Sequence, residues 1–137
     1  MANEKLGFVV SDFNADITHL MSKLAQEHAE FLQAKVAKVY RVPGAFDMPL
    51  AVSKLVNMQD IDGVVCLGAV IEGDTQHDEI VANNAARKLA DLSVQSGKPV
   101  ALGISGPGMT RAAGIERIDG YAKRSVESVL KMIRNLK

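Results

Sequence analysis

An excess of charge of either sign is missing from this chain. Its 137 residues carry 16 Lys and Arg against 16 Asp and Glu. Such a balance leaves no broad electrostatic footprint for nucleic acid or for an anionic membrane, so any chemistry that uses charge has to be local. Long apolar runs are missing too: none approaches the roughly 18 residues of a membrane span. The opening MANEKLGFVV turns strand-like too early for a secretory signal. Cysteine is almost absent. The lone Cys66 excludes an internal disulfide and suits a reducing, cytoplasmic compartment. Inside the apolar run 64–67 it reads as a small buried hydrophobe, with nothing nearby to stabilise a thiolate.

Several signatures of chemistry are also lacking. No G-x-G-x-x-G follows the first strand-like segment, which argues against the usual dinucleotide fold, and no G-x-x-x-x-G-K-[ST] marks a P-loop. His77-Asp78-Glu79 offers one histidine where a zinc helix needs two at i and i+4. No G-x-S-x-G supplies a nucleophile elbow. Neither a metal nor a cofactor is expected. His19 and His28 fall mid-helix, and His28, on an apolar stripe, reads as packed or bonded to a carbonyl.

What is present is apolar and alternating. Residues of the apolar class make up 47%, enough to bury a core and too much for disorder. Short β-rich runs at 6–11, 36–42, 63–68 and 100–104 are nearly continuous in apolar character, as parallel strands covered on both faces are. Between them lie segments with helical spacing. Ile17, Leu20, Met21, Leu24, His28, Phe31 and Leu32 form one stripe; Ile115, Ile118, Ala122, Val126, Val129, Ile133 and Leu136 form the last. Thr75 can cap the third helix, and Gly97-Lys98-Pro99 ends it. The order βαβαβαβα predicts a single α/β domain over residues 1–137, with a parallel sheet, right-handed crossovers and helices on both faces.

Open parallel sheets bind ligands beyond the carboxyl ends of their strands. Four loops are predicted there: 12–14, 43–49, 69–77 and 105–111. The segment 68–77, GAVIEGDTQH, runs off the third strand into a helix head, where free amides at Gly73, Asp74 and Thr75 make an anion site. His77 falls in the first turn, where the positive end of the helix disfavours an imidazolium. It is either a structural histidine or a proton acceptor. In 42–49, VPGAFDMP, two prolines fix the backbone around Phe46 and Asp47. Asp47 either bonds ligand hydroxyls or complements a helix dipole. Phe13, beside Asn14, either stacks on a heterocycle or staples the following helix. Of Arg111, Arg117, Lys123 and Arg124, most are solvated helix face, and one near the anion site would clamp phosphate.

Taken in register, Phe13-Asn14, the segments 42–47, 67–77 and 99–104, and the archaeal-looking 103–111, GISGPGMTR, resemble the lumazine synthase family along essentially the whole chain. The resemblance implies a flavodoxin-like three-layer sandwich with a four-stranded parallel sheet in the order 2-1-3-4. It implies condensation of 5-amino-6-(D-ribitylamino)uracil with 3,4-dihydroxy-2-butanone 4-phosphate, without a cofactor. Phe13 would stack on the pyrimidine; Ala45, Phe46 and Asp47 would hold the ring and ribityl chain; Ala69, Val70 and Ile71 would line the ring, with Leu102 against it. Asp74 and Thr75 amides would hold phosphate opposite Arg117, His77 would shuttle protons, and Asn14 and Arg124 are further candidates. The family also implies a homopentamer with pockets between neighbouring subunits. The short stretch 117–124 favours closure of pentamers into an icosahedral shell.

This sequence departs from the family in places. Asp47 stands where many members have Glu, which shortens the reach to the hydroxyls. Leu102 replaces a common aromatic, which makes stacking one-sided. Asp74 brings a negative side chain beside the phosphate. Around Arg124 the chain is one residue shorter. Two other readings stay open at this point: an archaeal-type riboflavin synthase on the same fold, and a non-catalytic flavodoxin-like module that binds a ligand or forms a shell.

Overall fold

The computed structural model describes residues 3–73 and 77–137. Its elements run β1 (Lys5–Ser11), α1 (Ala15–Phe31), β2 (Lys35–Val42), a 3-10 turn at Ala45–Asp47, α2 (Met48–Val56), β3 (Gly63–Ile71), α3 (Asp78–Ser96), β4 (Val100–Met109), α4 (Arg111–Glu116) and α5 (Ile118–Asn135). The strands form one parallel sheet in the order β2-β1-β3-β4. This is the α/β architecture and strand order expected from the sequence.

Side-chain alternation divides the core in two. Leu6, Phe8 and Val10 of β1, with Val65, Leu67, Ala69 and Ile71 of β3, pack against α1 and α5. Val9, Val64, Cys66, Val70 and Ile104 point the other way, against α2 and α3. Every residue of β3 is buried, which accounts for its unbroken apolar sequence. Burial pushes the Cys66 thiol far up, beyond the ordinary thiol range.

Two expected loops, 69–77 and 105–111, begin as strand. β3 continues to Ile71 and β4 to Met109. Ala69 pairs with Ser105 and Ile71 with Met109, so Val70 alone faces Gly106, Pro107 and Gly108. This bulge absorbs the glycines that read as a loop. Gly106 has φ 110°, and a Cβ there would collide with the Val70 carbonyl, so the close approach needs glycine.

Other expectations are adjusted. α3 starts at Asp78, with His77 at its N-cap position rather than in the first turn; Thr75, offered as the cap, lies outside the described residues. Gly97 ends α3 in the left-handed conformation, as read. His28 bonds the Glu127 carboxylate at 2.8 Å, not a carbonyl, because α1 and α5 pack side by side. The last apolar stripe is interrupted at Arg117, with Ile115 on α4. Most of that stripe is covered within the chain, as is Leu55 of α2, while Leu50 and Leu136 stay exposed.

Candidate functional site

β1 connects outwards to β2 on one side, and the chain then returns to β3 on the other side of β1. The switch point therefore lies between β1 and β3, where ligands enter such sheets. A cavity of about 190 Å³ opens there, lined by Phe13, Gly44, Ala45, Phe46, Ala69, Val70, Ile71 and Val81. Its side chains are all apolar. Polar recognition of a ligand inside it falls to backbone N–H and C=O groups.

Each wall has a local cause. Phe13 leaves β1 with its backbone N–H bonded to the Pro43 carbonyl at 2.9 Å, one step after Asp12 N–H meets the Val42 carbonyl at 2.7 Å. The segments after β1 and β2 are thereby held side by side. Phe13 stays 49% exposed and faces the cavity rather than stapling α1. Asp12 reinforces the junction: its carboxylate accepts from Arg41 Nε at 2.9 Å and Nη2 at 2.7 Å, and His19 Nε2 lies 3.1 Å away. The Arg41 guanidinium, with His19 second, holds the Asp12 carboxyl below the usual carboxylate range.

Pro43 and the 3-10 turn present Ala45 and Phe46, the latter 61% exposed. Asp47 turns back, its Oδ2 accepting the Gly44 N–H at 3.1 Å. The turn therefore consumes one carboxylate oxygen on the upstream Gly44 N–H, with no side-chain cap bond to α2, and Asp47 does not line the cavity. His77 is exposed at the head of α3. Its carbonyl accepts the Val81 N–H at 2.9 Å, which places it one turn ahead of a cavity-lining residue. Asp74 and Thr75 lie outside the described residues.

The remaining candidates lie elsewhere. Leu102, 51% exposed on the edge strand β4, and Arg124 border a second hollow of about 360 Å³ with Ala101, Tyr121, Ser125 and Ser128. The two cavities share no residue. Arg124 Nε donates to the Gly120 carbonyl at 3.2 Å, and its guanidinium lies over the Tyr121 ring. Lys123 pairs with Asp119 at 3.2 Å. Arg111 binds Asp16 and Asn14. Arg117, exposed between α4 and α5, is the one cation of these four whose side chain has no partner among the described residues.

Val81 of α3 was not singled out from sequence; its helical spacing from His77 was the available signal. The Asp12–Arg41–His19 cluster was also missed, since nothing local links Arg41 to Asp12.

The 6,7-dimethyl-8-ribityllumazine synthase family model matches residues 3–137. The chain belongs to the 6,7-dimethyl-8-ribityllumazine synthase family. Proteins of that name from Methanoculleus marisnigri and Methanocaldococcus jannaschii are 64% and 61% identical to it over 132 residues. The match spans 96% of this chain in each case, and 97% and 93% of those relatives. The protein of that name from Archaeoglobus fulgidus is 58% identical over 137 residues, covering all of this chain and 95% of its own. Membership of the lumazine synthase family agrees with the parallel sheet and its strand order. Among the described residues no helix is long and apolar enough to cross a membrane.

Proposed function

We propose that this chain condenses 5-amino-6-(D-ribitylamino)uracil with 3,4-dihydroxy-2-butanone 4-phosphate to 6,7-dimethyl-8-ribityllumazine, the penultimate step of riboflavin biosynthesis, at the cavity beside Phe13. Family membership over nearly the full length carries the reaction. The convergence of Phe13, Ala45, Phe46, Ala69, Val70 and Ile71 on one apolar cavity supports the place.

A flat heterocycle suits an apolar slot with an aromatic at its mouth. Phe13 stacks on the pyrimidine, and the backbone at residues 69–71 reads its polar edge. Asp47 offers the ribityl hydroxyls its second carboxylate oxygen. Asp74 and Thr75 amides receive the phosphate, with Arg117 as counter-charge. An amine of the pyrimidine attacks the ketone, water leaves as the imine forms, inorganic phosphate is eliminated, and the second nitrogen closes the ring with loss of a second water. His77, at the rim, moves protons in these steps.

The active unit is a homopentamer, closed further into an icosahedral shell in the cytoplasm. About 190 Å³ is less than the roughly 300 Å³ at which ligand pockets begin. Leu102 and Arg124 meanwhile border a hollow that shares no residue with that cavity. A heterologous contact that closes a ring brings one subunit's first cavity against its neighbour's second.

Mixing both substrates and following lumazine absorbance tests the reaction. Conversion of lumazine to riboflavin instead would favour the riboflavin synthase reading, and no turnover at all would favour a non-catalytic module. Light scattering tests assembly: a monodisperse five-subunit particle rejects the shell, and a stable active monomer rejects both levels.

A further inference from the structure

We infer that Arg111 is a positioning residue for the pyrimidine pocket, acting through the Asn14 amide on the backbone of β3. The inference rests on the assignment of the pyrimidine to the cavity beside Phe13.

The β1–β3 ladder ends with Val10 opposite Leu67. Two residues further along β3, the Ala69 carbonyl is met by a side chain instead: Asn14 Nδ2 donates to it at 3.0 Å. That amide extends the ladder by one rung, at the residue where β3 starts to line the cavity. Asn14 can do this because its backbone is left-handed, φ 62° and ψ 50°, a conformation asparagine tolerates better than most residues. The same turn projects Phe13 into the cavity from the preceding position.

An asparagine amide has a donor end and an acceptor end, and reversing it exchanges them. Here two neighbours select the same direction: the Ala69 carbonyl only accepts and so takes Nδ2, and Arg111 holds the other end. Arg111, the first residue of α4, donates Nη2 to Asn14 Oδ1 and Nη1 to Asp16 Oδ2, the latter at 2.8 Å. A guanidinium only donates, so the amide end facing it has to be the oxygen, and Nδ2 has to face Ala69. Asp16 holds the planar fork in place from α1. Arg111 thereby ties α1, α4 and the end of β3 together at the pocket wall, and its charge is already met there. This separates it from a phosphate clamp.

Steady-state kinetics on the assembled protein test the idea. Arg111→Ala is expected to raise KM for the pyrimidine about 10-fold, the scale of one lost charge-assisted hydrogen bond, and to leave KM for the butanone phosphate within about twofold. Asn14→Asp keeps an acceptor for Arg111 but loses the donor to Ala69, so it is expected to raise the same KM as much as Asn14→Ala. The double variant Arg111→Ala/Asn14→Ala should match Asn14→Ala alone, because one residue works through the other. Additive effects, a parental KM in Asn14→Asp, or a larger change in the butanone phosphate KM would each overturn the inference. Should Arg111→Ala not fold, Arg111→Met replaces it, because it keeps the aliphatic stem and loses every donor to Asn14, and an unchanged pyrimidine KM there overturns the inference equally. Phe13→Ala separates the two levels. If it leaves the pyrimidine KM unchanged, the pocket assignment fails; if it raises that KM while Arg111→Ala does not, only the role of Arg111 fails.

Discussion

The two ends of the sheet are built differently. At the amino ends, polar groups close on one another: Lys5 N–H donates to Asp62 Oδ2 at 2.8 Å, Arg134 Nε to Glu4 Oε2 at 2.7 Å, and Lys98 Nζ to the Met58 carbonyl at 2.7 Å. At the carboxyl ends, the Asp12–Arg41 and Asn14–Arg111 contacts brace the loops from outside and leave an apolar mouth open between Phe13 and Phe46. Glycine conformations and the β4 bulge are concentrated there as well. One end of the sheet thus satisfies itself, and the other holds an apolar cavity open. Substitutions at the two ends should therefore separate into those that change kinetics and those that change stability.

The largest effect is expected at the open end. His77→Ala should lower kcat by roughly 10- to 10³-fold with the fold retained; an unchanged kcat in a folded variant would remove His77 from the proton-transfer role. Next, Arg117→Ala should raise KM for the butanone phosphate by about 10- to 10²-fold and spare the pyrimidine. Equal rises in both would make Arg117 structural. Asp47→Ala should weaken ribityl-bearing ligands a few-fold and spare analogues without that chain, since each hydroxyl contact contributes modestly. Equal weakening of the two ligand classes would leave only the bond to Gly44.

The smallest effect belongs to the closed end. Glu4→Gln should leave kcat and both KM values unchanged and lower stability at pH 7 by about 0.5–1 kcal/mol, as ion pairs screened by solvent on one side do, Arg134 being half exposed and Glu4 largely covered. Arg134 holds the Glu4 carboxyl below its usual range. The contribution is therefore complete above the ordinary glutamate pKa and disappears as pH falls through the depressed folded value. Thermal unfolding from neutral pH into acid should show the parent and variant converging. A gap that persists in acid would locate the effect in packing instead.

How far the sequence spoke for itself differs along the chain. Burial on two faces leaves an unbroken apolar run and burial on one leaves a period, so β1 and α1 came out close to their observed limits; β2 did so through its β-branched residues, although it is an edge strand of which only Val42 is buried, not a strand covered on both faces. The ends of β3 and β4 were not. Gly106 and Gly108 suggest a loop equally well when they form a bulge, and only the pairing of Ile71 with Met109 tells the two apart. The cavity wall was legible in Phe13 and Phe46 because they sit beside strand ends, and in Ala45 only through the family resemblance. The braces behind it were not, since Asn14 and Arg111 are far apart in sequence and meet only through tertiary packing. That Leu102 and Arg124 border a separate hollow was likewise invisible in a list of positions, because a linear pattern does not say which hollow a residue faces.

The placement of Cys66 has a practical consequence. It lies wholly enclosed in the central strand, with its thiol driven away from ionisation, so alkylating probes should pass over the native molecule. A cysteine introduced at Ser128, beside the second hollow, would then be the only thiol to take a fluorophore. Energy transfer between donor- and acceptor-labelled copies would then report whether copies of the chain associate, with no need to remove the native sulfur first.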